Sequence, residues 1–271
     1  MDKLKRILAL AGAVLLAGMY IVTFIFSLMK SEQAAAMFRG ALACTVLLPV
    51  ILYAFLLMAR ILKPRKTAVT DTVILDVGNV LIHFGWREYA ASLGMDEEDI
   101  RELGQKVVGT PLWAELDTNL RPAEEIAEEL SDLMPEKKEL VRRLIFELDQ
   151  CLEPYDYCAN WITELKKAGY RVLFLSNWSE MTYKKMKERG ELSFEELTDG
   201  GIWSFNAHVA KPDTEIYQML INEYHLDPQR CIFIDDNQEN IDAARSLGIP
   251  SVRFKGYEDV RSQLSKIDIR W

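Results

Sequence analysis

The sequence predicts an α/β protein: a doubly wound parallel sheet that carries an inserted α-helical segment and is preceded by two apolar spans. Three observations lead there. Short, wholly apolar runs at residues 73–75, 172–175 and 231–234 read as strands buried on both faces, and each stops at polar groups, Asp76, Ser176-Asn177 and Asp235-Asp236 respectively. Amphipathic helical patterns separate the runs, as a parallel sheet with crossover helices requires. Finally, about 70 residues lie between Phe84 and Pro154, where roughly a dozen make a crossover.

Taken from the N-terminus, 271 residues suffice for one sizeable α/β domain and an additional segment. The formal net charge of −9 is unevenly spread. Residues 1–66 hold nine Lys or Arg against two Asp or Glu, which leaves about −16 on the remainder. So acidic a body lacks the basic face that nucleic-acid binding needs. Cys44, Cys151, Cys158 and Cys231 show no Cys-x-x-Cys spacing and read as reduced. His83, His208 and His225 are too scattered for a zinc site.

Residues 7–29 and 40–59 contain no charged side chain, and each stretch has the length of a bilayer-crossing helix. A second apolar stretch so soon after the first argues against a cleaved signal peptide. The expectation is a two-pass membrane hairpin over residues 1–66. Lys3, Lys5 and Arg6 before it and Arg60, Lys63, Arg65 and Lys66 after it outnumber Lys30 and Arg39 between the spans. By the positive-inside rule both termini and the following domain are expected on the cytoplasmic side.

The strand at 73–75 ends at Asp76, at the carboxyl edge where open α/β sheets bind their ligands. Gly78-Asn79 then gives a loop able to turn sharply. Residues 85–153 read as a helical cap; within it Leu140, Val141, Leu144, Ile145 and Leu148 form an apolar stripe opposite charged residues. Residues 67–84 and 154–271 read as the core. In that core, a helical pattern at 156–168 closes at Gly169, Ser179 offers an N-cap, Gly248 ends another helix, and residues 251–254 supply a further short strand. A cap rising from the carboxyl edge would act as a lid and choose the substrate.

Four segments, in order, carry a resemblance: Asp76-Val-Gly-Asn-Val80, Leu175-Ser-Asn177, Ala210-Lys-Pro-Asp213 and Phe233-Ile-Asp-Asp-Asn-Gln-Glu-Asn240. They resemble the motifs of the haloacid dehalogenase-like (HAD) hydrolases, in the form found among sugar-phosphate phosphatases with a helical cap, and the likeness covers residues 70–256. It implies a Rossmann-like core and hydrolysis of a small phosphorylated metabolite through an aspartyl-phosphate. Asp76 would be the nucleophile, and Mg²⁺ would be held by Asp76, the Gly78 carbonyl and Asp236, with Asp235 sharing the metal or holding its waters. Ser176 and Asn177 would bind phosphoryl oxygens. Lys211 would neutralise phosphate and nucleophile together, Pro212 would open the following helix, and Asn240 would orient the site.

Many family phosphatases carry a second Asp two residues after the nucleophile as general acid; here that position is Gly78. The leaving-group proton is then left to a metal-bound water, a cap residue or a leaving group good enough to need little help, with His83 a further candidate. Trp113, Glu115, Asp117 and Arg121 in the cap, together with Trp178, are candidates for a substrate pocket. Two alternatives stand beside the phosphatase. One is a membrane-anchored HAD-like binding or adaptor protein of weak activity, which Gly78 keeps open. The other is a haloacid-type dehalogenase, which the double carboxylate Asp235-Asp236 disfavours without a cation. Protein partners have no signature in the sequence.

Overall fold

The computed structural model describes residues 69–271 throughout and, before them, single residues and short runs between residues 18 and 53. The chain divides between residues 67 and 68. The unit that follows contains strands β1 (Thr72–Leu75), β2 (Ile82–Phe84), β3 (Leu152–Pro154), β4 (Arg171–Ser176), β5 (Gly201–Trp203), β6 (Cys231–Asp235) and β7 (Ser251–Arg253). Five of them form a sheet in the order β5-β4-β1-β6-β7, every neighbouring pair parallel. This is the Rossmann-like α/β arrangement that the apolar runs predict, with β1 at its centre.

The sheet is covered on both sides because its strands are apolar on both sides. Val73, Leu75, Val172, Phe174, Ile232 and Ile234 pack on one face with Trp161, Ile162 and Leu165. Ile74, Leu173, Leu175 and Phe233 pack on the other with Ile216, Tyr217, Leu220 and Ile241. Successive side chains of a strand point to opposite faces, so a run of β-branched and large apolar residues needs two helical layers to leave water.

Between β2 and β3 lie α1 (Trp86–Ser92), α2 (Glu97–Leu103), α3 (Pro111–Glu115), α4 (Ala123–Asp132) and α5 (Lys138–Phe146). The sheet is flanked by α6 (Cys158–Lys167), α7 (Glu180–Glu188), α8 (Phe194–Leu197), α9 (Ser204–Ala207), α10 (Thr214–Tyr224), α11 (Gln238–Ser246) and α12 (Tyr257–Ser265). Side-chain caps set several starts: Asp96 closes a capping box on α2, and Thr110, Ser179, Asp213 and Asn237 accept first-turn N–H groups of α3, α7, α10 and α11. The inserted helices bury their own apolar core, in which Ile126 and Leu130 of α4 meet Val141, Leu144 and Ile145 of α5.

Both ends of the insertion are joined by an antiparallel ribbon, with Ile82 opposite Pro154 and Phe84 opposite Leu152. Neither ribbon strand nor β5 was legible in the sequence: each has three residues and, unlike β1, β4 and β6, no unbroken apolar run. A second tie is ionic. Buried Asp149, just before β3, accepts from Lys185 and Arg189 on the α7 side; burial pushes its carboxyl up, but Arg189, Gln150 and Lys185 more than reverse this and hold it below its usual value.

Two expectations from the sequence are corrected. Among the described residues no helix is long and apolar enough to cross a membrane. The two-pass hairpin at 7–29 and 40–59, and the cytoplasmic placement of both termini deduced from it, are therefore not upheld; most of those two stretches lies outside the described residues. The second correction is local. The helix after Lys211 starts at Thr214 on an Asp213 cap rather than at Pro212, because the Asp213 side chain takes the N–H of Glu215 and so fixes the first turn two residues later. Cys151, Cys158 and Cys231 are free and buried.

Candidate active site

The polar groups that end the strands meet at one edge of the sheet. Asp76 follows β1 directly, and its main-chain N–H donates to Ile234 O of the neighbouring β6 (2.9 Å), which holds it at the rim. Its Oδ1 accepts from Val77 N and from Lys211 Nζ, each at 2.7 Å. The same Lys211 Nζ is 2.7 Å from Asp235 Oδ2, so one ammonium bridges the ends of β1 and β6. Asp235 is fully enclosed, and Lys211 and Asp76 are only 5% and 6% exposed. Burial pulls the Lys211 ammonium down, but Asp235 and Asp76 more than offset this and hold it above its ordinary value.

Lys211 is steered by its backbone as well as by its charge. Asn177 Nδ2 donates to the Lys211 carbonyl and Asn177 Oδ1 accepts the Lys211 N–H, both at 2.8 Å. The side-chain amide of Asn177 is thus spent on positioning Lys211. Ser176, ending β4, is buried, and its hydroxyl donates only a long 3.4 Å bond to the Asn177 carbonyl.

The adjacent carboxylates Asp235 and Asp236 differ in what they touch. Asp235 accepts from Lys211 Nζ, from Asn237 N at 2.8 Å and from Asn240 Nδ2 at 3.0 Å on each oxygen. Asp236 is half-buried and receives one bond, from Asn79 Nδ2 at 3.1 Å. Asn79 adopts a left-handed φ of 55°, a conformation that Asn tolerates better than most residues; its Oδ1 accepts the Phe84 N–H, so it ties the loop after β1 to both β2 and Asp236. The sequence marks Asn79 only as part of a sharp turn, and this tie to Asp236 joins positions 157 apart.

One oxygen each of Asp76, Asp235 and Asp236 lie within 4.8 Å of one another. Burial, opposed by Lys211 and reinforced by Asp235 and Asp236, pushes Asp76 up to about 8, and burial with the Asp235 charge raises Asp236. Crowded carboxylates in this state gain from a cation. A hard, all-oxygen donor set fits Mg²⁺ and not zinc; Gly78, in the loop between Asp76 and Asn79, lies beside it.

Above this edge is a cavity of about 100 Å³, reached by Gly78 and Asn177 from below and by Trp113, Leu116, Asp117 and Trp178 among others. Asp117 is half-buried, and its carboxyl makes no hydrogen bond or ion pair among the described residues. Burial pushes it up to about 7, with Lys211 pulling the other way. Ser204, wholly buried in the core, fixes its place: the hydroxyl donates to the Asp117 carbonyl (2.6 Å) and accepts the Trp178 N–H (2.9 Å). Glu115 and Arg121 pair with each other instead, at 2.9 Å, and do not line the cavity. His83 does not line it either; its Nδ1 lies 3.3 Å from the Tyr155 hydroxyl on the ribbon side. Ser204 and Leu116 were not legible as site residues, since nothing near them in sequence marks them.

The model of the haloacid dehalogenase-like hydrolase family matches residues 70–248. The chain belongs to that family. Among characterised relatives, the D-ribitol-5-phosphate phosphatase of Bacteroides thetaiotaomicron is 26% identical, over 72% of this chain and 97% of the relative. A sesquiterpene phosphatase of Aspergillus oryzae is 23% identical, over 65% of this chain and 85% of the relative. Among solved structures, a HAD-like family hydrolase of Porphyromonas gingivalis superimposes with a TM-score of 0.59 at 22% identity, over 74% and 98% of the two chains. A HAD family enzyme of Bacteroides thetaiotaomicron in complex with magnesium and inorganic phosphate gives 0.53 at 20% identity, over 69% and 94%. This HAD hydrolase therefore shares its core fold with both, its relatives include phosphatases, and its acidic triad suits the Mg²⁺ that hydrolases of the family use.

Proposed function

We propose that this HAD hydrolase cleaves small phosphomonoesters through a phosphoryl-aspartate formed on Asp76. The observation that supports it most is the placing of Lys211 Nζ 2.7 Å from both Asp76 and Asp235, at the ends of adjacent strands. A phosphate monoester resists attack because its anionic oxygens repel a nucleophile, so nucleophile and positive charge must be delivered together. Asp76, Asp236 and the Gly78 carbonyl would hold Mg²⁺, whose charge offsets that of the phosphoryl oxygens and of Asp76. Of the adjacent pair, Asp236 has the oxygen to spare, whereas Asp235 is occupied with orienting Lys211 and is itself steadied by Asn240.

In the first step an Asp76 oxygen bonds to phosphorus as the bond from phosphorus to the alcohol oxygen breaks. Lys211 and the Ser176 hydroxyl bind the non-bridging oxygens, with the Asn177 N–H beside them. Asp117 donates its proton to the departing alcohol. A carboxyl pushed up to about 7 and held over the floor by Ser204 suits that task, and it replaces the acid absent at Gly78. In the second step Asp117, now a carboxylate, takes a proton from water as the water oxygen attacks phosphorus, and phosphate leaves Asp76.

The relatives act on phosphates of a polyol and of a sesquiterpene, so they support a phosphomonoester and divide on its alcohol; a sugar phosphate is one candidate. The test is phosphate release by the full chain from a panel of monoesters, with and without Mg²⁺, alongside Asp76→Asn. Turnover that requires Mg²⁺ and is lost in the variant supports the reading. Phosphate bound without any turnover by folded protein would favour a binding or adaptor role instead.

A further inference from the structure

The cavity reached by Gly78 and Asn177 is unequal in its chemistry. Its walls are Phe84 and Leu152 of the ribbon, Trp113, Leu116 and Leu148 of the insertion and Trp178 of the core. The polar groups among its lining are almost all engaged elsewhere. Asn177 gives both ends of its amide to the Lys211 main chain. The Ser179 hydroxyl donates to Thr182 Oγ1 at 2.7 Å and accepts the Thr182 N–H. The indole Nε1 of Trp178 is buried with no accessible surface and faces nothing that could bond to it. What remains for a ligand is the Asp117 carboxyl, contributed by the insertion.

We propose that the alcohol released by this enzyme is apolar, a ring or branched chain of about five or six carbons seated among Phe84, Trp113, Leu116, Leu148, Leu152 and Trp178, with its ester oxygen toward Asp117. The inference rests on the phosphatase reading and adds the substrate class. Size and polarity both point this way. A cavity of about 100 Å³ is of the order that holds one six-membered ring, since a space of ~150 Å³ lined by apolar side chains takes up benzene. A polyol of the same size would lose hydration at every hydroxyl and recover a bond at Asp117 alone, and hydroxyls left unpaired in an apolar site count heavily against binding. An apolar group loses nothing of that kind and gains by leaving water.

The test compares two phosphates that differ only in ring hydroxyls, cyclohexyl phosphate and myo-inositol 1-phosphate, with acetyl phosphate as a substrate too small to fill the cavity. With the full chain and Mg²⁺, kcat/KM for cyclohexyl phosphate should exceed that for the inositol ester by about 100-fold or more. Leu148→Asn, checked for folding by circular dichroism, should shrink that ratio by about tenfold. Equal values, or a preference for the polyol, would overturn the proposal. If none of the three phosphates is hydrolysed, it is the phosphatase reading that fails. The matched non-hydrolysable phosphonates, titrated into the protein by calorimetry, then decide separately: tighter binding of the cyclohexyl compound upholds the apolar cavity, and equal or weaker binding removes it.

Discussion

The floor and the roof of the site are built on different principles. The floor is a rim of strand ends in which every carboxylate is held by hydrogen bonds from the same sheet or its loops: Lys211 spans Asp76 and Asp235, and Asn79 holds Asp236. The roof is an apolar wall with one carboxyl, Asp117, that the protein leaves unengaged. A floor of fixed charges treats every phosphoryl group alike, because it meets the part that all monoesters share. The roof meets the part that differs. Chemistry and selectivity are therefore expected to separate on mutation.

The largest effect should come from the floor. Asp76→Asn is expected to lower phosphate release by roughly 10⁴-fold or more, equally for every ester tested by colorimetric phosphate assay; a loss confined to one class of alcohol would break the division. Lys211→Met should also abolish turnover, and it leaves two buried carboxylates without their cation. Breaking a buried pair in this way costs about 3–5 kcal/mol, which denaturant unfolding should register as a lower midpoint.

The roof should respond more gently and with dependence on the leaving group. Asp117→Asn is expected to slow alkyl esters by about 10²-fold and acetyl phosphate less, because acetate needs no proton to depart and only the hydrolysis of the phosphoryl-aspartate still calls on Asp117. Because burial raises the Asp117 carboxyl to about 7, its proton is present below that pH and lost above it. Turnover of alkyl esters should accordingly fall as pH rises through about 7, and the Asn variant should lose that limb. A Cβ placed on Gly78 would meet nothing within 4 Å, so Gly78→Asp on the Asp117→Asn background should recover part of the rate, which would sharpen the assignment of the missing acid.

Smaller again is the support of Asp236. Asn79→Ala removes its hydrogen bond and should weaken Mg²⁺ by about tenfold while kcat at saturating metal stays close to that of the parent, as a metal titration of activity would reveal. The smallest effect is expected outside the cavity, at the partly exposed Arg121–Glu115 pair: Glu115→Gln should leave the denaturation midpoint close to that of the parent and the choice of substrate untouched.

The legibility of the two regions follows the same division. Apolar runs ending in Asp76, Ser176-Asn177 and Asp235-Asp236 announced both the sheet and its working edge, because burial on two faces and an abrupt polar stop are local properties of a strand. Lys211 could be named from its motif, yet the Asn177 clip that aims it joins positions 34 apart in the chain. The cap contributed a stripe of leucines and a set of candidates, of which Trp113 and Asp117 line the cavity and Glu115 and Arg121 do not. Helical spacing ranks residues by face, and it carries no information about which face another domain element will cover.

By itself, then, the amino-acid order determined the parallel sheet, the helical insertion and the cluster of carboxylates with their lysine. Each of these is written in the residues next to one another. Tertiary structure alone decided that Ser204 fastens the Asp117 main chain beside Trp178 and that the cavity reached by Gly78 and Asn177 is walled largely by apolar side chains. Those outcomes depend on which distant side chains meet and on how much water they exclude, and desolvation is a property of the assembled surroundings, not of any single stretch of chain.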